Sequence, residues 1–324
     1  MKLNAVKFIT FSVVWGILLV MLVQTRPVAQ YVSVIKEREV GGMPSADADD
    51  LRRQVEEWKK QYDQPPIDAK LDRIWKAIPG YNGRQVDVEA SIRRILESGL
   101  ITPQQLVYKE IPPAVSLDDL GAQPIYRGNP QKPAVSFMVN VAWGNEYLPS
   151  ILDTLDKYQV KTTFFLDGSW VTKYPDLAKQ IYDRGHEIGN HAFSHPDMSR
   201  IGEERIREEI GRTQAVIEKV LDSKPLLFAP PSGAYTQRVV EIAQREFGMK
   251  TILWTADTVD WRKPAVPEMV QRVNRQLGNG VLVLMHPTEA AAKGLEAMLK
   301  AAIAKGLLPT TVSDVLSSQR IDRP

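Results

Sequence analysis

The 324-residue chain contains no cysteine. Disulfides, thiol catalysis and thiolate metal ligands are therefore excluded, and any bound metal must be held by His, Asp, Glu or Asn. Histidine is nearly as scarce, with His186, His191, His195 and His286 the full set. The 41 Lys and Arg almost balance the 39 Asp and Glu, a formal net charge of +2, which removes any electrostatic case for a nucleic-acid partner. Neither a P-loop nor a glycine-rich dinucleotide fingerprint occurs, so phosphoryl transfer and nucleotide binding have no support. Internal repeats and low-complexity tracts are also missing.

Long apolar runs are confined to one place. Lys2 and Lys7 precede the stretch Phe8–Val23, which reads as a signal sequence or signal anchor. The run falls slightly short of the ~20 residues of a spanning helix, but Ala5, Val6 and Gln24 can extend it. Ala29 is the small-residue candidate for cleavage, and Arg26 and Pro27 make it a poor one. The expectation is an uncleaved membrane anchor over residues 1–30, lysines inside and the bulk of the chain extracytoplasmic.

Residues 31–44 read as a charged, Gly- and Pro-punctuated linker. Residues 45–121 read as a small α/β module. Leu51, Val55, Trp58 and Tyr62 share one helical face, and Pro65–Pro66 stops that helix. A "PGYNG" turn, a short strand "QVDV" and a helix ending near Gly99 follow. The proline-containing stretch 122–133 reads as a second linker, and 134–324 as the main domain.

In that domain apolar strands such as "AVSFMVNV" and "GVLVLMH" alternate with amphipathic helices. The longest helix, "GEERIREEIGRTQAVIEKVL", offers Ile206, Ile210, Ala215 and Ile217 as its inward face. The alternation predicts an α/β fold with a covered parallel sheet, either an open doubly wound sheet or a (β/α) barrel. Strand after strand ends in a polar residue: Asn140, Asp167, His191, Ser232, Asp257, His286. A ring of this kind at the C-terminal strand ends favours the barrel.

His191 and His195 lie four residues apart in "GNHAFSHPDM", a spacing that puts two imidazoles within reach of one metal ion. With its context, this stretch resembles the metal block of the NodB-type polysaccharide deacetylases, carbohydrate esterase family 4. Over about residues 134–316, "SFMVNVAWG", "FAPPSGAY", "DTVDW" and "VLVLMH" resemble the other blocks of that family in order and spacing. The resemblance implies an irregular (β/α) barrel of the polysaccharide deacetylase type and metal-dependent de-N-acetylation of a glycan such as peptidoglycan. It gives His191 and His195 the role of metal ligands, zinc being the first expectation, and His286 that of general acid. Asp257 is the first choice to orient His286, with Asp260 second. Pro231, Ser232, Trp143 and Trp261 become walls of a substrate groove, although either tryptophan could instead belong to the core.

The pattern breaks in one region. Asn140 stands where the family carries its base Asp, and an amide accepts no proton near neutral pH. Val141 follows where a second, metal-binding Asp is expected, leaving Asn145 as a substitute ligand. Ala229 replaces an Arg that pairs with the base, a coupled loss, since that Arg would be left buried and unpaired. Together with "DAKLDRIWKAIPGYNG" upstream, these changes resemble the YlxY type of sporulation-related deacetylase-like protein. Two readings follow: a de-N-acetylase with a weakened base, or an inactive glycan-binding protein of the cell or spore envelope. A third is a structural partner in an envelope assembly. Oligomeric state is not encoded in any feature of the chain.

Overall fold

The computed structural model describes residues 45–321, so the expected anchor (1–30) and first linker (31–44) lie outside the described residues. Among the described residues, no helix is long and apolar enough to cross a membrane. The described chain falls into two compact units, one running to Asp63 and including Gln85–Lys109, the other Gln64–Arg84 with Glu110 onward.

The smaller unit contains α1 (Ser45–Tyr62) and α2 (Val88–Ser98). Leu51 and Val55 from α1 pack with Val86, Ile95 and Leu106, with Trp58 and Tyr62 against them, as the helical spacing predicts. Asp87 caps α2 by accepting the Ala90 N–H, and Gly99 ends it in the left-handed conformation.

The larger unit departs from the expected boundaries at two points. Residues 64–84 and 110–121 belong to it, including a hairpin of β1 (Lys70–Asp72) and β2 (Lys76–Ile78). The supposed linker 122–133 is also built in. Ile125 bridges Ile252, buried Asn129 donates to the Pro79 carbonyl at 2.9 Å, and fully buried Lys132 donates to the Asp314 and Ser317 carbonyls. Pro130 marks a turn within the fold, and the buried residues around it anchor the segment.

Strand β3 (Gly83–Val86) pairs with β4 (Tyr108–Ile111). The eight-stranded sheet of the larger unit is parallel throughout. It comprises β5 (Ala134–Val141), β6 (Thr163–Leu166), β7 (Glu187–Asn190), β8 (Leu227–Phe228), β9 (Lys250–Thr251), β10 (Ala256–Asp257), β11 (Val281–Met285) and β12 (Leu308–Pro309). Along the sheet the order is β10-β11-β5-β6-β7-β8-β9, with β12 against the start of β5. This is the α/β class expected, as a curled parallel half-barrel. Strand β5 sits at its centre and is buried on both faces. Val135, Phe137, Val139 and Val141 pack against helices, with Leu148, Ile151, Ala291 and Leu295. Ala134 and Met138 face the inside of the curl with Phe165, Ala229, Leu282 and Leu284. The two-residue period of a strand then puts Asn140, next in the inner set, at the mouth.

Candidate active site at the mouth of the half-barrel

That alternation settles which residues share the mouth. Asn140 follows Met138 on the inner face, His191 follows Gly189, which lies level with Phe165 and Asn140 through β6, and His286 follows Leu282 and Leu284. Val141 belongs to the opposite face, fully buried among helix-facing residues. Valine at this position offers no donor to a metal, and its side chain serves as a packing element.

His191 is buried, and its Nδ1 lies 2.7 Å from the Ala229 carbonyl oxygen. A carbonyl only accepts, so Nδ1 carries the hydrogen and Nε2 keeps its lone pair. Burial, reinforced by neighbouring His195, pushes the His191 pKa down to about 3, which keeps the ring neutral. The His195 ring stands edge-on to it, 5.1 Å between centroids. Both imidazoles hang from a loop with two left-handed non-glycine residues, Ala192 (φ 62) and His195 (φ 56). Such a conformation needs support from outside the loop.

Glu209 supplies that support. This fully buried carboxylate in α6 (Glu203–Leu221) accepts the N–H groups of Phe193 and Ser194 and the Ser194 hydroxyl, each at 2.7 Å, and pairs with Arg205. Asn190 adds two bonds, its Oδ1 accepting the Ala192 N–H and its Nδ2 donating to the Ile210 carbonyl, both at 2.9 Å. Glu209 is the functional residue that sequence reasoning missed. Its signal was an acidic side chain on the inward face of an amphipathic helix. The inward set is Ile206, Glu209, Ile210, Thr213 and Ile217, while Ala215 is exposed.

Opposite lies a second cluster. The Asp260 carboxylate, fully buried, accepts the backbone N–H of His286 at 2.7 Å and its ring Nδ1–H at 2.8 Å. The ring is thereby fixed with Nε2 free. Asp260, and not Asp257, is the partner of His286. The Asp257 side chain instead accepts the Val259 N–H at 2.7 Å, closing a turn in which Val259 takes φ 50. A β-branched residue in that region is strained, and the strain swings Asp260 inward and Trp261 outward. Trp143 stacks on His286 with rings 5.9 Å apart and 10° from parallel. At 46% and 51% exposed, Trp143 and Trp261 are not core residues.

The remaining expected residues divide. Pro231 is buried and Ser232 exposed at φ 55, in the turn that leaves β8 just after Ala229. Asn145 is not positioned as a free ligand, because its carboxamide oxygen accepts the Trp170 Nε1–H at 2.6 Å. Asp167 caps α4 (Gly168–Lys173) by accepting the Trp170 N–H, and burial raises its pKa. His186 lies outside the site, buried beside Phe164, its Nδ1 accepting the Thr162 N–H; burial pushes its pKa down to about 4.

The donors at the mouth are thus two imidazoles and a neutral amide. The Asn140 Oδ1 is buried with no hydrogen-bond partner among the described residues. Among the described residues, no three His, Cys, Asp or Glu side chains are grouped to hold a metal ion. Catalytic zinc sites use three protein ligands, so this donor set does not fit one.

The polysaccharide deacetylase family model matches residues 127–252, and a second model, described as a candidate peptidoglycan binding domain, matches 24–100. The uncharacterized protein YlxY of Bacillus subtilis (strain 168) is 41% identical over 317 residues, 97% of this chain and 98% of its own length. BA3943 of Bacillus anthracis, described as a pseudoenzyme of carbohydrate esterase family 4, is 42% identical with a TM-score of 0.80, covering 84% of this chain and 96% of the other. A mutant of BA3943 described as having restored enzymatic activity superposes with the same TM-score at 41% identity, covering 84% of this chain and 99% of the other. A peptidoglycan-N-acetylglucosamine deacetylase of Bacillus cereus is 34% identical over 146 residues, 44% of this chain and about half (52%) of that enzyme. The chain belongs to the polysaccharide deacetylases of carbohydrate esterase family 4.

Proposed function

We propose that this protein binds an N-acetylated glycan of the peptidoglycan type and that its hydrolytic step is disabled at Asn140. One observation carries the reading: the inner-face position at the end of β5 holds a buried amide whose oxygen has no partner, opposite an intact Asp260–His286 pair. Releasing acetate from an acetamide requires water to add its oxygen to the acetyl carbon, the C–N bond to break, and the amine to leave with a proton. Asp260 fixes His286 so that Nε2 can deliver that proton when the ring is charged. Nothing equivalent takes the proton from water, because the carboxamide of Asn140 is neutral and stays so. Zinc, the expected cofactor, would find two imidazoles and no carboxylate, so weak retention of metal is part of the proposal.

The relatives support the same reading. Their names place deacetylation on peptidoglycan, and BA3943, at 42% identity, is described as a pseudoenzyme with a reactivated mutant. The protein would act outside the cytoplasm, tethered through its apolar stretch Phe8–Val23. The intact acid favours a second reading, slow hydrolysis, since a general base contributes roughly 10²–10⁴-fold and its loss need not abolish turnover. Incubating the protein with an N-acetylglucosamine tetramer, with binding and acetate measured together, tests the choice. Saturable binding without acetate is expected; steady acetate release lost with His286→Ala would establish the slow hydrolase instead.

A further inference from the structure

The hairpin of β1 and β2 contributes no residue to the mouth, yet it concentrates exposed apolar side chains. Ile67 just before it, Leu71 and Ile74 are all exposed, the last two at 57% and 65%. Half-exposed Trp75 follows, and the exposed Lys70, Arg73 and Lys76 alternate with them. Basic and apolar residues are thus interleaved through the stretch "KLDRIWK".

The tip is also held in one shape. Asp72 Oδ1 accepts the Ile74 and Trp75 N–H groups, each at 2.8 Å, so the acid of the hairpin is already engaged. Lys76 turns the chain back with φ 57 and bridges Ile125, while Ala77 is buried in the inner core. Trp75 stands edge-on to Tyr126, 6.3 Å between centroids, and the Arg127 guanidinium lies 5.9 Å from the Trp75 ring centroid. The hairpin is therefore a fixed projection whose apolar side chains do not fold back onto the protein.

We propose that this hairpin seats the larger unit on an anionic phospholipid surface. The inference rests on the tethered, extracytoplasmic reading above and adds a second point of attachment. Charge decides the occupant. The whole chain carries +2, but Lys70, Arg73, Lys76 and Arg127 against Asp72 concentrate +3 on this patch. Lysine is depleted where proteins meet proteins, whereas basic residues around apolar ones suit anionic headgroups and the acyl boundary beneath them. Tryptophan is a residue type that settles at that boundary. The tether makes a weak contact sufficient, because it holds the hairpin at high effective concentration near the bilayer.

The chain has no cysteine, so Ile74→Cys takes an environment-sensitive dye at the tip alone. The labelled full chain is reconstituted with vesicles of phosphatidylglycerol or of phosphatidylcholine, and flotation reports whether the tether holds. On phosphatidylglycerol the dye should shift to the blue and be quenched by spin-labelled lipid; on phosphatidylcholine it should stay in water. A dye at Tyr182→Cys, on the helix Pro175–Asp183, should stay in water on both. Replacing Lys70 and Arg73 by alanine should lower the ratio of inserted to free hairpin about 30-fold, at roughly fivefold per basic residue. Leu71→Ser should lower it about tenfold. A tip dye that stays in water on floated phosphatidylglycerol vesicles, or shifts only with insoluble peptidoglycan, would overturn the hairpin contact and leave the tether standing. A shift of both dyes would overturn it too, since adsorption would then have no specific face. A chain that does not float at all would overturn tether and hairpin together.

Discussion

On one side of the mouth, Asp260 grips His286 through its backbone and its ring, Trp143 covers the imidazole, and a strained turn at Val259 keeps the carboxylate aimed inward. On the other, the last inner-face residue of β5 is Asn140 with an unpartnered oxygen, and the buried Ala229 brings no charge to the site. On the proposed function, the first side is a complete proton donor and the second lacks a proton acceptor. General decay of an unused site would have loosened both halves. On the resemblance, the departures are Asn140, Val141 and Ala229, all on the base and metal side, while Asp260 and His286 are kept. The imidazole loop between the halves keeps its buried Glu209, an expensive group to retain unless the loop geometry still matters.

Several substitutions would break or sharpen this contrast. The largest effect is expected for Asp260→Asn in an Asn140→Asp background. Loss of the fixed His286 tautomer should lower acetate release roughly 10²–10⁴-fold, measured as initial rates. Next is Glu209→Ala, which strands the Phe193 and Ser194 N–H groups. About 3 kcal/mol of stability should be lost in urea unfolding, and a loss below about 1 kcal/mol would show the loop to be self-supporting. Gly144→Ala should cost about 1–3 kcal/mol by the same measurement, through overpacking against Pro287.

A last effect is one of pH. His186 and His191 have folded pKa values of about 4 and 3, below the ~6.5 of an unfolded histidine. The unfolded chain therefore takes up more protons as pH falls through 6.5, and the stability these groups contribute at neutral pH is progressively lost toward 4 and below. His186→Gln should flatten the decline between pH 6.5 and 4 by up to about 1.4 kcal/mol per pH unit, and an unchanged slope would contradict the assignment.

Much of this site is legible in the sequence because apolar strands such as Val281–Met285 run directly into polar residues that the curled sheet must bring together. His191 and His286 stand out that way, and the four-residue spacing adds His195. The sequence favours Asp257 over Asp260 and the structure reverses that order, since both flank the same short turn and the choice depends on the left-handed backbone at Val259. That Val141 carries no metal-binding group is legible from its side chain alone, whereas its place in the helix-facing core follows from the strand period of two. Glu209 was hidden on a helix, and the stretch 122–133 was disguised by prolines that here shape a buried segment.

The most direct measurement is acetate release from the N-acetylglucosamine tetramer by the Asn140→Asp variant beside the unmodified protein. The account predicts no measurable release from the unmodified chain and clear release from the variant, lost again when His286→Ala is added. Equal release from both, or none from a variant that still folds and binds the tetramer, would contradict it.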